Sequence, residues 1–144
     1  MKNLLLTLSS LVLLCILSCQ KTSDDAVATN TAPDSISLAT ATVIKSGNLN
    51  FVSKSQTGNV GIYQQQNGTF ILAFQSMQFN STVDVDVKFS SSSTSNVSTK
   101  LFSIKTISNH LYYQLPAEID INSINYIFFQ TDQSEAPIAS TTLK

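Results

Sequence analysis

Two aspartates at a strand-like spacing are the residues most suited to chemistry. In Val83–Phe89 apolar and charged residues alternate, so Asp84 and Asp86 would share one face of a β-strand. Their side chains would then lie about 7 Å apart, where two carboxylates could bind Ca²⁺ or act as paired acids. Lys88 would lie on the same face and neutralise part of that charge. We therefore expect a solvated face and no bound metal, with Asp84 and Asp86 as the metal candidates.

His110 is the only histidine of the chain and lies in a polar segment. A histidine base needs an orienting partner and a nucleophile, and the nearby sequence signals neither. The chain has no Gly-x-Ser-x-Gly elbow and no glycine-rich phosphate loop. Glu118 and Asp120 could offer oxygens to Ca²⁺, although EF-hand spacing is absent. These observations predict a protein that is not an enzyme and has no cofactor.

Tyrosine side chains are the candidates for contact with a ligand. Tyr63, Tyr112, Tyr113 and Tyr126 could each stack on a sugar ring, or they could pack within the domain. Because side chains alternate along a strand, one of Tyr112 and Tyr113 should face outward and the other the core. We therefore predict contact with a glycan or a protein partner at Tyr112 and Tyr113.

The N-terminus has the layout of an export signal. The apolar stretch Leu4–Leu17 is shorter than the roughly 20 residues that span a bilayer, and it suits a signal peptide. Ile16–Cys19 then resembles a bacterial lipobox. That resemblance implies a signal peptide over residues 1–18, cleavage after Ser18, and lipid on Cys19. More than one acyl chain would anchor the protein stably, whereas an ordinary secretory signal or an uncleaved anchor is the alternative.

Residues 19–44 are predicted to be the lipidated cysteine and a flexible tether, because small and polar residues dominate there. A coil of about 25 residues spans roughly 25–30 Å. Gln20 stands where an aspartate would signal inner-membrane retention, which favours the outer membrane. Lys21 with Asp24 and Asp25 resembles the export signals of surface lipoproteins. Exposure on the cell surface and a location on the inner side of the outer membrane both remain open.

Composition narrows the class of protein further. Charged residues make up 12% of the 144-residue chain and all eight basic residues are lysine, which disfavours nucleic-acid binding. The apolar share of 42% is too high for a charge-rich disordered chain. The only cysteines are Cys15 and Cys19, so the folded domain would have neither a thiol nor a disulfide. Asp34-Ser35-Ile36 matches a bacterial O-glycosylation pattern, and whether it is glycosylated stays open.

From residue 45 to 144 the pattern predicts one all-β domain, an antiparallel sandwich or barrel of about eight strands. Val, Ile and Thr are frequent, and Asn67-Gly68 between two apolar runs is a hairpin signal. Strand signals recur about every 8–12 residues without a helical period. The expected strands are Ala41–Ser46, Leu49–Ser53, Val60–Gln65, Thr69–Gln75, Val83–Phe89, Thr99–Lys105, Leu111–Leu115, Tyr126–Gln130 and Ile138–Leu143.

The order of features over Ser46–Leu143 resembles a known family, the DM-thirteen domain. The resemblance depends on Phe51–Ser53, Gly58, Val60–Tyr63, Gly68, Leu72, Phe79, Val83–Val87, Tyr112–Pro116, Ile119–Ile121, Tyr126–Phe129, Ala139 and Leu143. It implies a small extracellular β domain of a kind also found in bacterial lipoproteins. The family carries a cysteine with a proposed redox or haem-linked role, but that position falls at Gln130 or Thr131 here. The fold could therefore carry over, whereas the thiol chemistry could not.

Together these observations predict a lipid-anchored protein of the cell envelope with a non-catalytic binding or structural β domain. Its expected partners are the membrane, through the lipid on Cys19, and a protein or glycan ligand. Electron transfer is the alternative implied by the family resemblance. It is disfavoured because the family's thiol is absent, which leaves only His110, Met77 or a tyrosine as a haem ligand.

Overall fold

A computed structural model describes residues 36–144, which form an antiparallel β domain. The signal peptide, the lipobox, Cys19 and the first two residues of Asp34-Ser35-Ile36 lie outside the described residues. The strands are β1 Thr42–Asn48, β2 Asn50–Phe51, β3 Thr57–Gln64, β4 Phe70–Ser90, β5 Thr99–Gln114, β6 Tyr126–Gln130 and β7 Ala139–Thr142. Short 3₁₀ turns occupy Ser95–Val97 and Ile121–Ser123. Within residues 36–144 no helix has the length and apolarity needed to cross a membrane.

A long hairpin made of β4 and β5 organises the sheet. One edge of β4 pairs with β5 along most of its length, while the other edge pairs first with β3 and then with β6. The strand therefore contributes to two halves of the sheet. Its first half lies beside β3 and β1, and its second half lies beside β6, β7 and β2.

Irregular pairing marks the change of direction in β4. Between Asn80 and Val85 the register with β5 shifts, because residues 81–84 of β4 face only Lys105. A second shift leaves Ser76 unpaired, and Ser76 and Asn109 both have positive φ, at 51° and 71°. Bulges bend a strand and increase its twist, which allows one strand to serve both halves of a curved sheet.

Backbone contacts between β1 and the C-terminal residues nearly close the sheet into a barrel. The amides of Ser46 and Lys144 each donate to the other residue's carbonyl oxygen, at 2.9 and 3.0 Å. Gly47 lies at this seam, where a Cβ atom would press against the carbonyl oxygen of Thr142 and lie 2.5 Å from Oγ1 of Thr141. Only glycine permits the two chain segments to approach this closely.

Apolar side chains from all the longer strands fill the interior. Phe74, Phe102 and Phe129 are the largest fully buried residues. The Phe129 ring packs edge-on against Phe74 and Phe79, with centroids 5.6 and 5.4 Å apart. These rings lie between the two halves of the sheet, so the core holds the halves together.

The prediction of an all-β antiparallel domain is confirmed, with seven strands among the described residues rather than about eight. The predicted strands Thr69–Gln75 and Val83–Phe89 are parts of β4, and Thr99–Lys105 and Leu111–Leu115 are parts of β5. The residues between them lie within these continuous strands, paired or in bulges, and not in loops. β1 begins at Thr42, so it includes the last three residues assigned to the tether.

Candidate functional site

Asp84 and Asp86 have different surroundings. The Asp84 side chain is 67% exposed, and its Oδ1 lies 3.5 Å from Nζ of Lys105. The Asp86 side chain is only 8% exposed and lies 3.0 Å from Nζ of Lys100, while the hydroxyl of Ser103 donates to it at 2.7 Å. Among the described residues, no three of His, Cys, Asp and Glu come together as metal ligands. Each carboxylate is thus neutralised by a lysine from β5, which local sequence reasoning missed.

Gln130 is one of the two positions, with Thr131, where the family resemblance would put a cysteine. It ends β6 and is buried, and its Nε2 donates to the carbonyl oxygens of Ser134 and Glu135 at 2.9 and 2.8 Å. Its Oε1 accepts from Nζ of Lys88 at 3.1 Å. Lys88 also lies 4.0 Å from Asp86, as its place on the same strand face predicted. The side-chain amide of Gln130 therefore connects β6 to the following loop through hydrogen bonds, which is a structural role.

His110 and Met77 lie on opposite sides of the sheet. His110 is exposed and stacks on Tyr112, with ring centroids 5.2 Å apart. Met77 is fully buried, and a Cβ atom on Gly58 would collide with its sulfur. The two residues are therefore not arranged as a pair of axial ligands for one haem.

Tyr112 and Tyr113 point to opposite sides, as the alternation along a strand requires. Tyr113 packs on the core ring of Phe102, with centroids 4.3 Å apart, and its hydroxyl donates to the carbonyl oxygen of Leu101. Burial raises the pKa of the Tyr113 phenol, and the negative charge of Glu118 raises it further. Tyr113 is thus a structural residue, and only Tyr112 of the pair belongs to the outer surface.

On the first half of the sheet, the face turned away from the core carries neutral polar and aromatic side chains around the fully buried Ile71 and Ala73. We use "outer face" for this side of β1, β3, the start of β4 and the end of β5. Register places its side chains in three rows across the strands. The rows are Val43, Tyr63, Ile71 and Gln114; Ser46, Gly61, Ala73 and Tyr112; and Asn48, Asn59, Gln75 and His110.

A shallow depression of about 430 Å³ lies on this face. We call it the Gly61 depression; it is lined by Ser46, Gly47, Asn48, Asn59, Val60, Tyr63 and Gln75. A Cβ atom on Gly61 would be 2.8 Å from Cε2 of Tyr63, so the Tyr63 ring lies over this glycine. The Tyr63 hydroxyl donates to Oε1 of Gln75 at 3.1 Å, which fixes the ring.

Most polar side chains of the Gly61 depression are available for a ligand. Within residues 36–144 the side chains of Ser46, Asn48 and Asn59 have no hydrogen-bond partner, and all three residues are exposed. No lining residue carries a charge. The depression can therefore offer hydrogen bonds and an aromatic surface, but it lacks a nucleophile activated by a base.

A larger cavity of about 650 Å³ opens at the end of the barrel beside the Asn67-Gly68 turn. Apolar surface comes from Phe70, Leu115 and Pro116. Ile36 and Ser37 line a neighbouring depression on the same side, so the described chain enters the domain here. The described part of the chain therefore begins at this end of the barrel.

Three comparisons with known proteins found no match for the chain. No family model matches it, and neither does any curated protein or solved structure. The resemblance to the DM-thirteen domain therefore remains a prediction from the sequence, and the inference of function depends on the site itself.

Proposed function

We propose that this protein is a lipoprotein of the cell envelope, held by lipid on Cys19, whose β domain binds a ligand without catalysis. The outer membrane is the proposed location, with the domain exposed on the cell surface. The Gly61 depression is the proposed binding site. The observation that carries the binding role is that hydrogen-bonding groups with no partner within residues 36–144 surround a fixed aromatic ring there.

The path of the chain supports this arrangement. Thr42, at the start of β1, pairs with Gln64 next to the turn end of the barrel, while Asn48 at the far end of β1 pairs with Asn59. Six residue steps of a strand cover about 20 Å. The Asn48 end of the Gly61 depression therefore lies about 20 Å along β1 from the point where that strand begins.

Fatty-acid labelling tests the anchor. We expect an alkyne-bearing fatty acid to label the wild type and Cys15→Ser equally, because Cys15 lies before the proposed cleavage site. Cys19→Ser should remain unlabelled and should leave the membrane fraction. Labelling of Cys19→Ser at the wild-type level would overturn the anchor.

Protection of a reporter cysteine tests the binding role whatever the class of ligand. The proposed mature chain has no free thiol, so Ser46→Cys, a replacement of nearly the same size in the lining, reports on the Gly61 depression alone. Asn96→Cys, which is exposed on the Ser95–Val97 turn, is the matched control. In broken cell envelopes we expect a maleimide to label position 46 several-fold more slowly than in purified protein. The rate at position 96 should not change, and equal behaviour of the two positions would refute ligand binding at this face.

A further inference from the structure

We propose that the Gly61 depression binds a neutral carbohydrate, with one face of a sugar ring against Tyr63 and its hydroxyl groups on the surrounding amides. This inference rests on the proposed function and names the class of ligand for the same site. Four features of the depression support it: the aromatic ring, the row of amides, the lack of charge and the neighbouring aromatic residue Tyr112.

The Tyr63 ring provides a rigid apolar surface. Its place over Gly61 and its hydrogen bond to Gln75 hold it before any ligand arrives. A pre-positioned ring loses little conformational entropy on binding, which favours a weakly apolar ligand. The C–H face of a sugar ring is such a surface, and an aromatic face is its usual partner because it is apolar yet polarisable.

A row of carboxamides lies beside this ring. Asn48, Asn59 and Gln75 occupy paired positions on three adjacent strands, which are spaced about 4.8 Å apart. Each carboxamide has donor hydrogens and an acceptor oxygen on one flat group. Sugar hydroxyls both donate and accept, so they complement carboxamides better than a phosphate or a carboxylate, which only accepts.

The lack of charge argues against the other ligand classes. No Asp, Glu, Lys or His lines the Gly61 depression, and the lysines of β5 lie on the second half of the sheet. A nucleotide, a phosphate or an acidic peptide would find no countercharge and would lose hydration. A neutral polar ligand has no such cost.

The dimensions fit more than one sugar ring. A volume of about 430 Å³ lies in the range of about 300–1,000 Å³ that small-molecule sites occupy. Tyr112 continues the same face, because it pairs with Ala73, which in turn pairs with Gly61. Two strand spacings place Tyr112 about 10 Å from Gly61, so a linear oligosaccharide could contact both tyrosines. For such a shallow site we expect a Kd of roughly 1 mM per ring.

Nuclear magnetic resonance of the full chain, in a detergent without a sugar head group, tests the proposal. Linear glucose, mannose and galactose hexasaccharides are the probes, and a hexagalacturonate is the charged control. We expect at least one neutral probe to shift the side-chain amide signals of Asn48 and Asn59 in a saturable way. The hexagalacturonate should shift them less at the same concentration.

Variants then locate the contact. Tyr63→Ala should weaken binding by about tenfold, while Tyr63→Phe, which keeps the ring, should stay within about threefold. Asn59→Ala removes an exposed side chain that has no hydrogen-bond partner in the described part of the chain, so it should preserve the fold and weaken binding about fivefold. Tyr126→Ala is the control, because Tyr126 stacks on Phe128 in the other half of the sheet. It should bind as the wild type does.

Two results would overturn the inference. One is that no neutral probe shifts Asn48 or Asn59, and the other is that Asn59→Ala and both Tyr63 variants bind like the wild type. The maleimide experiment separates this failure from failure of the proposed function. Protection of position 46 without a response to sugars would mean that the face binds another class of ligand, whereas loss of both would remove the binding role as well.

Discussion

Lys45 joins β1 to the turn before β6, and removing its ammonium group tests how strongly this one side chain stabilises the barrel. Nζ lies 3.1 Å from the carbonyl oxygen of Ile121, 3.3 Å from that of Asn122, 2.9 Å from that of Ile124 and 3.0 Å from Oδ1 of Asn125. An ammonium group has three N–H donors, so it satisfies at most three of these acceptors fully at one time. The carbonyl and amide dipoles of the turn thus stabilise the positive charge of Lys45.

Lys45→Met keeps most of the aliphatic chain and removes the charge and the donors. A hydrogen bond to a charged group contributes about 1.5–3 kcal/mol. The contacts to Ile121 and Ile124 are partly buried, whereas water can replace the exposed contact to Asn122. The combined contribution of these contacts is therefore well below that of three full hydrogen bonds. We expect Lys45→Met to lower the free energy of unfolding by about 2 kcal/mol. For a domain of this size that lowers Tm by roughly 8–16 °C.

Urea unfolding of the chain carrying Cys19→Ser, followed by circular dichroism, measures the loss. Lys54→Met is the matched control, because Lys54 is exposed and has no side-chain partner within the described residues. The control should change the free energy of unfolding by less than about 0.5 kcal/mol. If Lys45→Met is no more destabilising than Lys54→Met, the contacts of the Lys45 ammonium group do not stabilise the barrel, and this prediction is wrong.

The remaining predictions concern the contact between β1 and the C-terminal residues, the phenol of Tyr113, and haem binding. Gly47→Ala should lower the urea midpoint by the equivalent of about 1–3 kcal/mol, because its methyl group would force β1 away from Thr142; an unchanged midpoint would contradict the close approach. Because the pKa of Tyr113 is raised above its ordinary value of 10.0, the stabilisation from this phenol is complete below that pH and is lost as pH rises toward the folded-state pKa. Phenolate absorbance should therefore show one tyrosine that deprotonates above the ordinary pKa of 10.0, and Tyr113→Phe should lack it. A hemin titration of the full chain should produce no stoichiometric Soret shift, and a shift that disappears in His110→Ala would favour the redox alternative.

Local sequence signals were sufficient wherever a structure depends on residues close together in the chain. The Asn67-Gly68 turn is an example: Gly68 has a φ of 85° and its amide donates to the carbonyl oxygen of Gln65. The alternation in Val83–Phe89 likewise marked a strand correctly. Both features follow from backbone preferences and side-chain period, which need no knowledge of the rest of the fold.

The continuity of β4 and the burial of Asp86 could not be predicted in this way. Four of the residues 78–82 are polar, which is the composition of a loop, yet this stretch lies within a strand because β5 pairs with β4 on both sides of the bulge. Alternation also predicted a solvated Asp86, but Lys100 and Ser103 from β5 enclose it. In both cases a neighbouring strand, and not the local sequence, decided the outcome.

The sequence by itself determined the β class, the tight turn, the opposite orientation of Tyr112 and Tyr113, and the positions where no thiol can exist. Only the tertiary structure decided which polar side chains form a site. The row Asn48, Asn59 and Gln75 comes from three strands and has no spacing motif, since its alignment depends on register between strands. Register is set by the packing of the core and by bulges such as that at Ser76, and a one-residue slip would turn these side chains to the other face.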